Sequence, residues 1–451
     1  MAELMIPNEW ARVNISNIAD VDLGKTPKKS DYLSIGGYKV IKFRDVDYSG
    51  IDWTKNKDGF VGERSIGNLR DLKLHDVLIT ASAHSSEHIG RKICFVAKIP
   101  KDYKKIYFCG ELLGISANVG VLNPKFCFYY FLSQAGYKEI QLHVKGGHLT
   151  SGQARQMSIP FTLLPEQNRI IEIVEELFSD LDNAIENLCK AQEQLKMYRQ
   201  SVIKNSVDSI DLRRLGDLIE SPKYGTSQKC KKDAAGRAVL RIPNIGYQYV
   251  DQDDLKFAEF NCVEIEKYSL RDGDLLMIRS NGSVSLVGKV AILRKKDMDM
   301  LYAGYLIRLR PKSELNSLYA YYALSSLQLR RQIELKAKST SGVHNINSGE
   351  IQDLRIPFCG LDKQIRIVGE IESLLTICDQ AEKTVEDGIR KAEALRQSIL
   401  KKAFEGKLTE MWRKEHKGLF VGENSAKVML NRIRAEKEAL QNKLKGKTNH
   451  D

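Results

Sequence analysis

Two stretches carry residue types whose spacing invites a chemical reading. Gly24-Lys25-Thr26 ends the way a phosphate-cradling loop ends, where backbone amides and a lysine surround a nucleotide's phosphates. Such a loop needs a glycine five residues before Gly24, and Ala19 stands there, so the tripeptide reads as a turn. His84 and His88 have the spacing that puts two imidazoles on one helix face, as a zinc site would use, but "SAHSSEH" is serine-rich and brings no third ligand. The eight histidines form no triad with Ser or Cys, and the carboxylates form no two-metal nuclease cluster.

"NPKF" at 123–126 has only a superficial likeness to the Asn-Pro-Pro-aromatic signature of adenine methylation: it lacks the second proline, and no glycine-rich methyl-donor site precedes it. It reads as a loop before a helix. Cys94, Cys109, Cys127, Cys189, Cys230, Cys262, Cys359 and Cys378 are scattered, with no C-x-x-C pair. That spacing argues against structural zinc and a disulfide framework, and for reduced, mostly buried thiols. With no catalytic residues and no metal expected, the chain reads as one that binds rather than reacts.

What it binds is suggested by charge. Lys and Arg outnumber Asp and Glu by 70 to 58, a net charge of +12 with pI near 9.1, which favours a polyanion: nucleic acid or an anionic membrane. No apolar run is long enough to span a bilayer, and "MAELMIPNEW" lacks a secretory signal pattern, so a cytoplasmic location with no membrane partner is expected. At 451 residues, two or three domains are expected.

The elements that must hold these loops come in duplicate. Sliding the chain by 197 positions aligns "HLTSGQARQMSIPF" (148–161) with "NINSGEIQDLRIPF" (345–358). It also places Gln167, Arg169 and Ile170 on Gln364, Arg366 and Ile367, Asp182 on Asp379, and Arg199-Gln200-Ser201 on Arg396-Gln397-Ser398. Upstream, "GYKVIKFRDV" (37–46) resembles "GRAVLRIPNI" (236–245), and "LHDVLIT" (74–80) resembles "RDGDLLMI" (271–278), each followed by a Gly-basic pair, Gly90-Arg91 and Gly288-Lys289.

Each copy closes with a heptad stripe: Val174, Leu177, Leu181, Ala184, Leu188, Ala191, Leu195, Tyr198 and Val202, then Ile371, Leu374, Cys378, Ala381, Val385, Gly388, Ala392, Leu395 and Ile399. Both predict helices of about 40 residues, roughly 60 Å long. Pro165 suits the first turn of one, and Asp362 could cap the other. A part of about 150 residues has a radius of gyration near 15 Å, so its ends cannot sit at opposite ends of such a rod. The helices should therefore pair antiparallel, a coiled coil with pseudo-twofold symmetry, rather than dock separately on partners or on their own globular parts.

The fold class expected is thus two tandem mixed α/β parts separated by long helices. The boundaries are 1–160 and 211–360 for the α/β parts, 161–210 and 361–410 for the helices, and 411–451 for a helical basic tail. Short runs such as "YKVIKF", "KICFVA", "AVLRI", "KVAIL" and "YLIRLR" read as strands. "FCFYYFLSQAGYKEIQ" and "LYAYYALSSLQLRRQIE" read as helices whose aromatics are core. Segment net charges are +6 for 1–160, −4 for 161–210, +6 for 211–360, −1 for 361–410 and +5 for the tail. Two equal basic parts held apart suit a duplex met at two separate segments.

Taken with the "IPF…EQ/KQ" entrance to each helix, "DGDLLMIRSNGS" (272–283) and "AFEGKLTEMWR…GENSAKVMLNRIRAEKEAL", the chain resembles the specificity subunit of a type I restriction-modification system over essentially its whole length. The resemblance implies two target recognition domains, each reading half of a bipartite site in double-stranded DNA, with conserved helices setting the spacer. It implies two modification subunits using S-adenosylmethionine to methylate adenine, and two restriction subunits using ATP and Mg. The chain itself would be non-catalytic and need no cofactor. A coiled-coil scaffold, or a self-contained DNA methyltransferase or nuclease, are the competing classes; the missing motifs oppose the latter. The entrance departs from the family's proline-rich form, as "IPFTLLPEQ" and then "IPFCGLDKQ", which loses the Glu and the last proline.

DNA-reading candidates are polar residues on glycine-containing loops. In the first part they are Lys25, Thr26, Lys28, Arg44 with Asp45, Ser82, His84, Ser85, Gly147, His148 and Thr150. In the second they are Lys223, Tyr224 and Ser227 in "SPKYGTSQK", Arg241 with Asn244, Arg279, Asn281 and Ser283 in "RSNGS", and His344 and Asn345 in "STSGVHN". Arg44, Arg241 and Arg279 have the fork for guanine, and Asn244, Asn281 and Asn345 the amide for adenine. Glu172, Glu175, Glu176 and Asp180 read as a solvated face or a landing site for a modification subunit. The tail, with Arg432, Arg434, Lys437, Lys443, Lys445 and Lys447, could touch DNA or pack beside the N-terminal segment.

Overall fold

The computed structural model describes residues 4–54, 59–207, 211–340 and 342–447. It divides into two compact units, residues 1–186 with 389–451, and residues 187–388. The division falls within each long helix rather than at its ends. Each unit therefore holds one α/β part, the start of one helix and the end of the other.

In the first unit, among the described residues, strands Ile93–Phe95, Val77–Thr80, Leu112–Ala117 and Ala19–Leu23 form an antiparallel sheet in that order. A second sheet orders Tyr32–Leu33, Phe60–Val61, Tyr38–Ile41, Lys105–Phe108 and Arg70–Asp71, with Lys105–Phe108 parallel to Tyr38–Ile41. Helix Pro124–Leu132 packs on the first sheet, and helix Gln134–His143 packs against that helix. The second unit repeats the plan: Lys223–Tyr224, Leu306–Leu309, Leu275–Ile278 and Val290–Ile292 in one sheet, and Lys256–Ala258, Arg237–Leu240 and Leu301–Tyr302 in another, again with one parallel pair. Its helices are Ser317–Ser325 and Leu327–Lys336. The expected single helical stretch in each part is broken at Ser133 or Ser326. Each serine hydroxyl accepts from a backbone amide of the following helix, Gly136 at 3.1 Å and Leu329 at 3.3 Å. The aromatics are core as expected: Phe126, Tyr130, Phe131, Tyr319 and Tyr322 are buried.

The long helices run Leu164–Val207 and Leu361–Phe404, 44 residues each. Pro165 lies in the first turn of its helix. Asp362 does not cap the second; it lies within the first turn, where its charge suits the helix's positive end, while Gly360 supplies the carbonyl that accepts from Lys363 and Gln364. Within each unit the helices pair antiparallel, as the coiled-coil reading requires. In the first unit Arg396 pairs with Asp182 and lies 4.7 Å from the Phe178 ring centre. In the second, Arg199 pairs with Asp379 and Glu382, and Leu188 packs on Gly388, where an added Cβ would come within 3.1 Å of it. Arg199–Asp379 and Arg396–Asp182 are the same ion pair in the two copies.

The stripe is less uniform than its spacing. Val174, Ile371, Val385 and Ile399 are buried, and Leu177, Leu181, Leu188, Leu195 and Leu374 are half-buried. Leu395 is 49% exposed and Tyr198 48%, so they leave the seam. A straight helix drifts about 20° per heptad against a strict seven-residue repeat, enough over three heptads to turn Leu395 outward and bring Arg396 to the contact. Phe178 and Leu375, beside the stripe, are buried instead. The helix starts also serve the α/β part before them, Ile170, Ile171 and Phe178 in the first unit's core and Val368 and Leu375 in the second's, while the helix ends join the other copy's core, Leu400 and Phe404 the first unit's and Val202 and Ile203 the second's. Both readings of the stripe thus hold at different heights.

The tail helix Ala426–Lys447 packs beside the N-terminal segment. Ala426 and Leu430 are buried in the first unit's core, and Lys437 Nζ donates to the Ser16 carbonyl at 2.5 Å. The side chains of Lys443, Lys445 and Lys447 lie outside the described residues. Of the eight thiols, Cys94, Cys109, Cys127 and Cys378 are buried, while Cys189 and Cys262 are exposed, so the expectation of mostly buried thiols holds for half. Burial pushes Cys94 and Cys109 up to about 12. No helix among the described residues is long and apolar enough to cross a membrane.

Candidate nucleic-acid interface

The candidate loops gather in each unit by the same backbone lacing. In the first, Gly24 packs so tightly under the Cys109 carbonyl that a Cβ would approach to 2.1 Å, and Lys25 N donates to Phe108 O at 3.2 Å. In the second, a Cβ on Gly225 would approach the Tyr302 carbonyl to 2.2 Å, and Thr226 N donates to Tyr302 O at 2.8 Å. Next to this, Ala81 N donates to Glu111 O and Leu149 N to Ala81 O, at 2.8 and 2.9 Å. Arg279 N donates to Tyr305 O and Ile346 N to Arg279 O, both at 2.9 Å, in the matching positions. Each unit thus draws together a glycine loop, the end of a central strand, a hairpin-like return and a turn at 109–111 or 303–305.

The return is shaped by glycine. Gly146 (φ +58°) and Gly147 (φ +78°) are the central residues of a tight turn closed between Lys145 and His148 at 3.1 and 3.2 Å, a conformation that residues with a Cβ resist. Ser82 and His148 face one another there, with Ser82 Oγ 3.0 Å from His148 Nδ1. In the second unit Ser280 pairs with Asn345 and Asn281 with His344, and strand Val343–Asn345 pairs with Lys338–Thr340. Ser341, within the expected "STSGVHN" loop, lies outside the described residues.

The structure therefore brings Lys25, Thr26, Ser82, Gly147, His148 and Thr150 to one region, and Tyr224, Ser227, Arg279, Asn281, His344 and Asn345 to another. Thr26 Oγ1 accepts from Gly110 N at 3.0 Å, and Thr150 caps the short helix Ser151–Ala154. Asn281 Oδ1 accepts from Ser283 N at 2.8 Å, shaping its own turn. Arg279 lies 4.7 Å from the Tyr224 ring centre and donates to the Gly304 carbonyl at 3.2 Å; the Tyr224 hydroxyl accepts from Ser348 N at 2.9 Å. Lys28, Lys223, Ser227, His84 and Ser283 are exposed, and Ser85 is half-buried. Ser86–His88 forms a short 3-10 turn, not the helix that would align His84 with His88.

Three candidates have other work. Asn244 is buried; its Oδ1 accepts from Arg241 N at 2.9 Å and its Nδ2 donates to the Asp251 carbonyl at 3.0 Å, which leaves no amide edge for a base. Arg241 is held by Asp254 at 2.9 Å, and that guanidinium keeps the Asp254 carboxyl below its usual range. Asp45 plays Asn244's part in the first unit, accepting from Lys42 N at 2.8 Å, beside Arg44, which is exposed. These are turn caps at the end of an inner strand of the second sheet, after Tyr38–Ile41 in one unit and Arg237–Leu240 in the other. Of the helix acids, Glu175 pairs with Lys125 at 2.6 Å and Glu172 with Arg169 at 3.0 Å.

Sequence reading missed the turns at 109–111 and 303–305. Their tips, Glu111 and Tyr305, are exposed side chains beside the gathered loops. It also left unexplained the glutamine shared by both helix entrances. Gln167, fully buried, accepts from Asn123 N at 2.8 Å and donates to Val121 O and Thr162 O. Gln364 does the same with Asn316 N at 2.8 Å, Glu314 O and Cys359 O. Each glutamine clips the long helix to the start of its unit's helix pair.

The duplicated architecture has known counterparts. The model of the type I restriction modification DNA specificity domain matches residues 7–192 and 208–391. The type I restriction enzyme EcoKI specificity subunit of Escherichia coli (strain K12) is 26% identical over 462 residues, covering 96% of this chain and 97% of its own length. The StySPI specificity subunit of Salmonella potsdam is 26% identical over 454 residues, covering 96% of each. A solved structure concerning complex assembly and conformational transition of the type I R-M system shares the fold at TM-score 0.69, with 19% identity over 89% of this chain and 99% of that one. The crystal structure of the HsdS subunit from Thermoanaerobacter tengcongensis matches at TM-score 0.51, with 19% identity over 89% and 98%.

Proposed function

The chain belongs to the type I restriction modification DNA specificity family and is a DNA sequence-specificity subunit, and from that premise we propose how its parts divide the work. Each basic α/β part, 1–160 and 211–360, reads one half of a bipartite site in double-stranded DNA. The helices 161–210 and 361–410 set the spacer and receive two modification subunits, and 411–451 fastens the N-terminal segment. The modification subunits supply S-adenosylmethionine-dependent methylation of adenine, and two restriction subunits supply ATP- and Mg-dependent cleavage. The chain contributes affinity and register, not chemistry.

The observation that carries this reading is the doubled loop lacing. Two copies of one backbone arrangement, each in a part of net charge +6, present different side chains at equivalent places. Phosphate attraction supplies binding to any duplex, and base-edge groups on the loops supply discrimination. Identical scaffolds with different loop residues are what two independent half-site readers need. The test is to exchange residues 1–160 for the corresponding part of a relative and map methylated adenines in cells carrying the system. One half-site should change while the other half and the spacing stay. Change in both halves, or in neither, would refute the division of labour.

A further inference from the structure

We propose that Glu111 and Tyr305 are the specificity-determining pair of the two readers: Glu111 accepts a hydrogen bond from the exocyclic amino group of a base in the first half-site, and Tyr305 contacts the second. This rests on the reading that each α/β part meets DNA through its gathered loops. The two residues occupy one position of one turn. The carbonyl of Glu111 accepts from Ala81 N and that of Tyr305 from Arg279 N, at 2.8 and 2.9 Å. Cys109 and Tyr302 carry the carbonyls that close on Gly24 and Gly225. Each turn is therefore held rigidly from two sides, between the glycine loop and the strand end.

The side chains are exposed where the backbone is held. Tyr305 is 63% exposed, and Glu111 is exposed with the Cys109 thiol 3.5 Å from its carboxylate. Among the described residues no cation pairs with Glu111. An unpaired carboxylate on a surface that attracts phosphates weakens binding to every sequence alike unless it faces a donor. The donors that DNA offers a carboxylate are the exocyclic amines, on cytosine and adenine in the major groove and on guanine in the minor. A glutamate on such a turn thus selects against bases that present only acceptors there. Tyrosine at the same place offers a ring face and a hydroxyl, so the two halves differ in chemistry at matching positions.

The experiment is selection from random duplexes by the full chain assembled with the modification subunits of its own system, for wild type, Glu111→Gln, Glu111→Ala and Tyr305→Ala. With Glu111→Ala, discrimination at one position of the first half-site should fall by about tenfold or more, the scale of one good base-edge contact. Affinity for unrelated duplex should rise as a negative charge leaves. Glu111→Gln should shift preference at that position toward bases with acceptors, since its amide also donates. Tyr305→Ala should alter the second half-site alone. First-half preferences unchanged in both Glu111 variants would overturn the proposal while leaving the two-reader function intact. A wild type that selects no two-part site would instead refute the function on which it rests.

Discussion

The buried ion pair between Glu166 and Arg413 ties the start of the first long helix to the C-terminal segment, and removing either partner should expose how much that tie contributes. Glu166 is 0% exposed. Its Oε2 accepts from Trp10 Nε1 at 2.7 Å and Thr162 Oγ1 at 2.5 Å, and its Oε1 from Thr409 Oγ1 at 2.7 Å and from Arg413. Arg413→Ala leaves a buried carboxylate with three neutral donors and no countercharge, a loss of about 3 to 5 kcal/mol. Glu166→Ala takes the acceptor from the Trp10 indole N–H and the Thr162 and Thr409 hydroxyls and leaves Arg413 with the Gly406 carbonyl at 2.9 Å and Glu9 at 3.7 Å, with a similar loss of about 3 to 5 kcal/mol. The double variant should lose about as much as either single one, because both remove the same interaction, giving a coupling energy of the same size, about 3 to 5 kcal/mol. All three tryptophans, Trp10, Trp53 and Trp412, lie in the first unit, so urea unfolding followed by tryptophan fluorescence reports on the right part of the molecule. Losses that add within about 0.5 kcal/mol would show that the two groups act independently and would refute the reasoning.

Asp76 gives a pH-dependent test. Burial holds its carboxyl above the usual range, against the opposing hydrogen bonds from the Ser116 hydroxyl at 2.6 Å and Lys73 N at 2.8 Å. A raised folded-state value means the folded chain binds the proton more tightly, so stability falls as pH rises from the unfolded value, about 3.9, through the folded one. Asp76→Asn keeps an acceptor for Lys73 N and removes that loss. Its Tm should match wild type near pH 4 and exceed it at pH 7; an equal gap at both would refute the assignment. For the spacer, inserting one heptad at matching places in both long helices adds about 10 Å, roughly three base pairs. Methylation mapping should then show a longer spacer with both half-sites unchanged, whereas a changed half-site with the old spacing would contradict the role given to the helices.

The repeat made most of the fold legible, since two copies of one plan test each other: a strand, a capped helix or an antiparallel partner read in one half had to work in the other. What escaped were features set by three-dimensional geometry rather than period. Leu395 fits the heptad count but not the helix's rotation, and Arg396 takes its place. Asn244 looked like a base reader because asparagine on a loop has the right chemistry. Only its burial shows the amide spent on Arg241 N and Asp251 O. Glu111 and Tyr305 escaped for another reason. The copies stand 198 residues apart around Ala81 and Arg279 but 194 apart at the turn, so the shift of 197 that aligns the later half never places the two tips together.

The helix entrances show what duplication keeps and what it releases. Gln167 and Gln364 persist because their partners are backbone groups of their own units, present in both copies. Glu166 has Lys363 as its counterpart because its partners Thr409 and Arg413 belong to the C-terminal segment, which the chain supplies once. The same contrast appears at Asp76 and Asp274. Asp274 receives both nitrogens of the Arg310 fork at 2.7 Å, while Ser116 stands at the matching place beside Asp76. A buried acid in this scaffold is kept where a partner can be built, and its partner differs wherever the two copies have taken different neighbours. Side chains whose partners are present in both copies, main-chain atoms for Gln167 and Gln364 or the duplicated acid for Arg199 and Arg396, are thus the ones a second copy preserves. Those facing outward from the same backbone, as at 111 and 305, are free to diverge, which is the condition under which one scaffold can read two sequences.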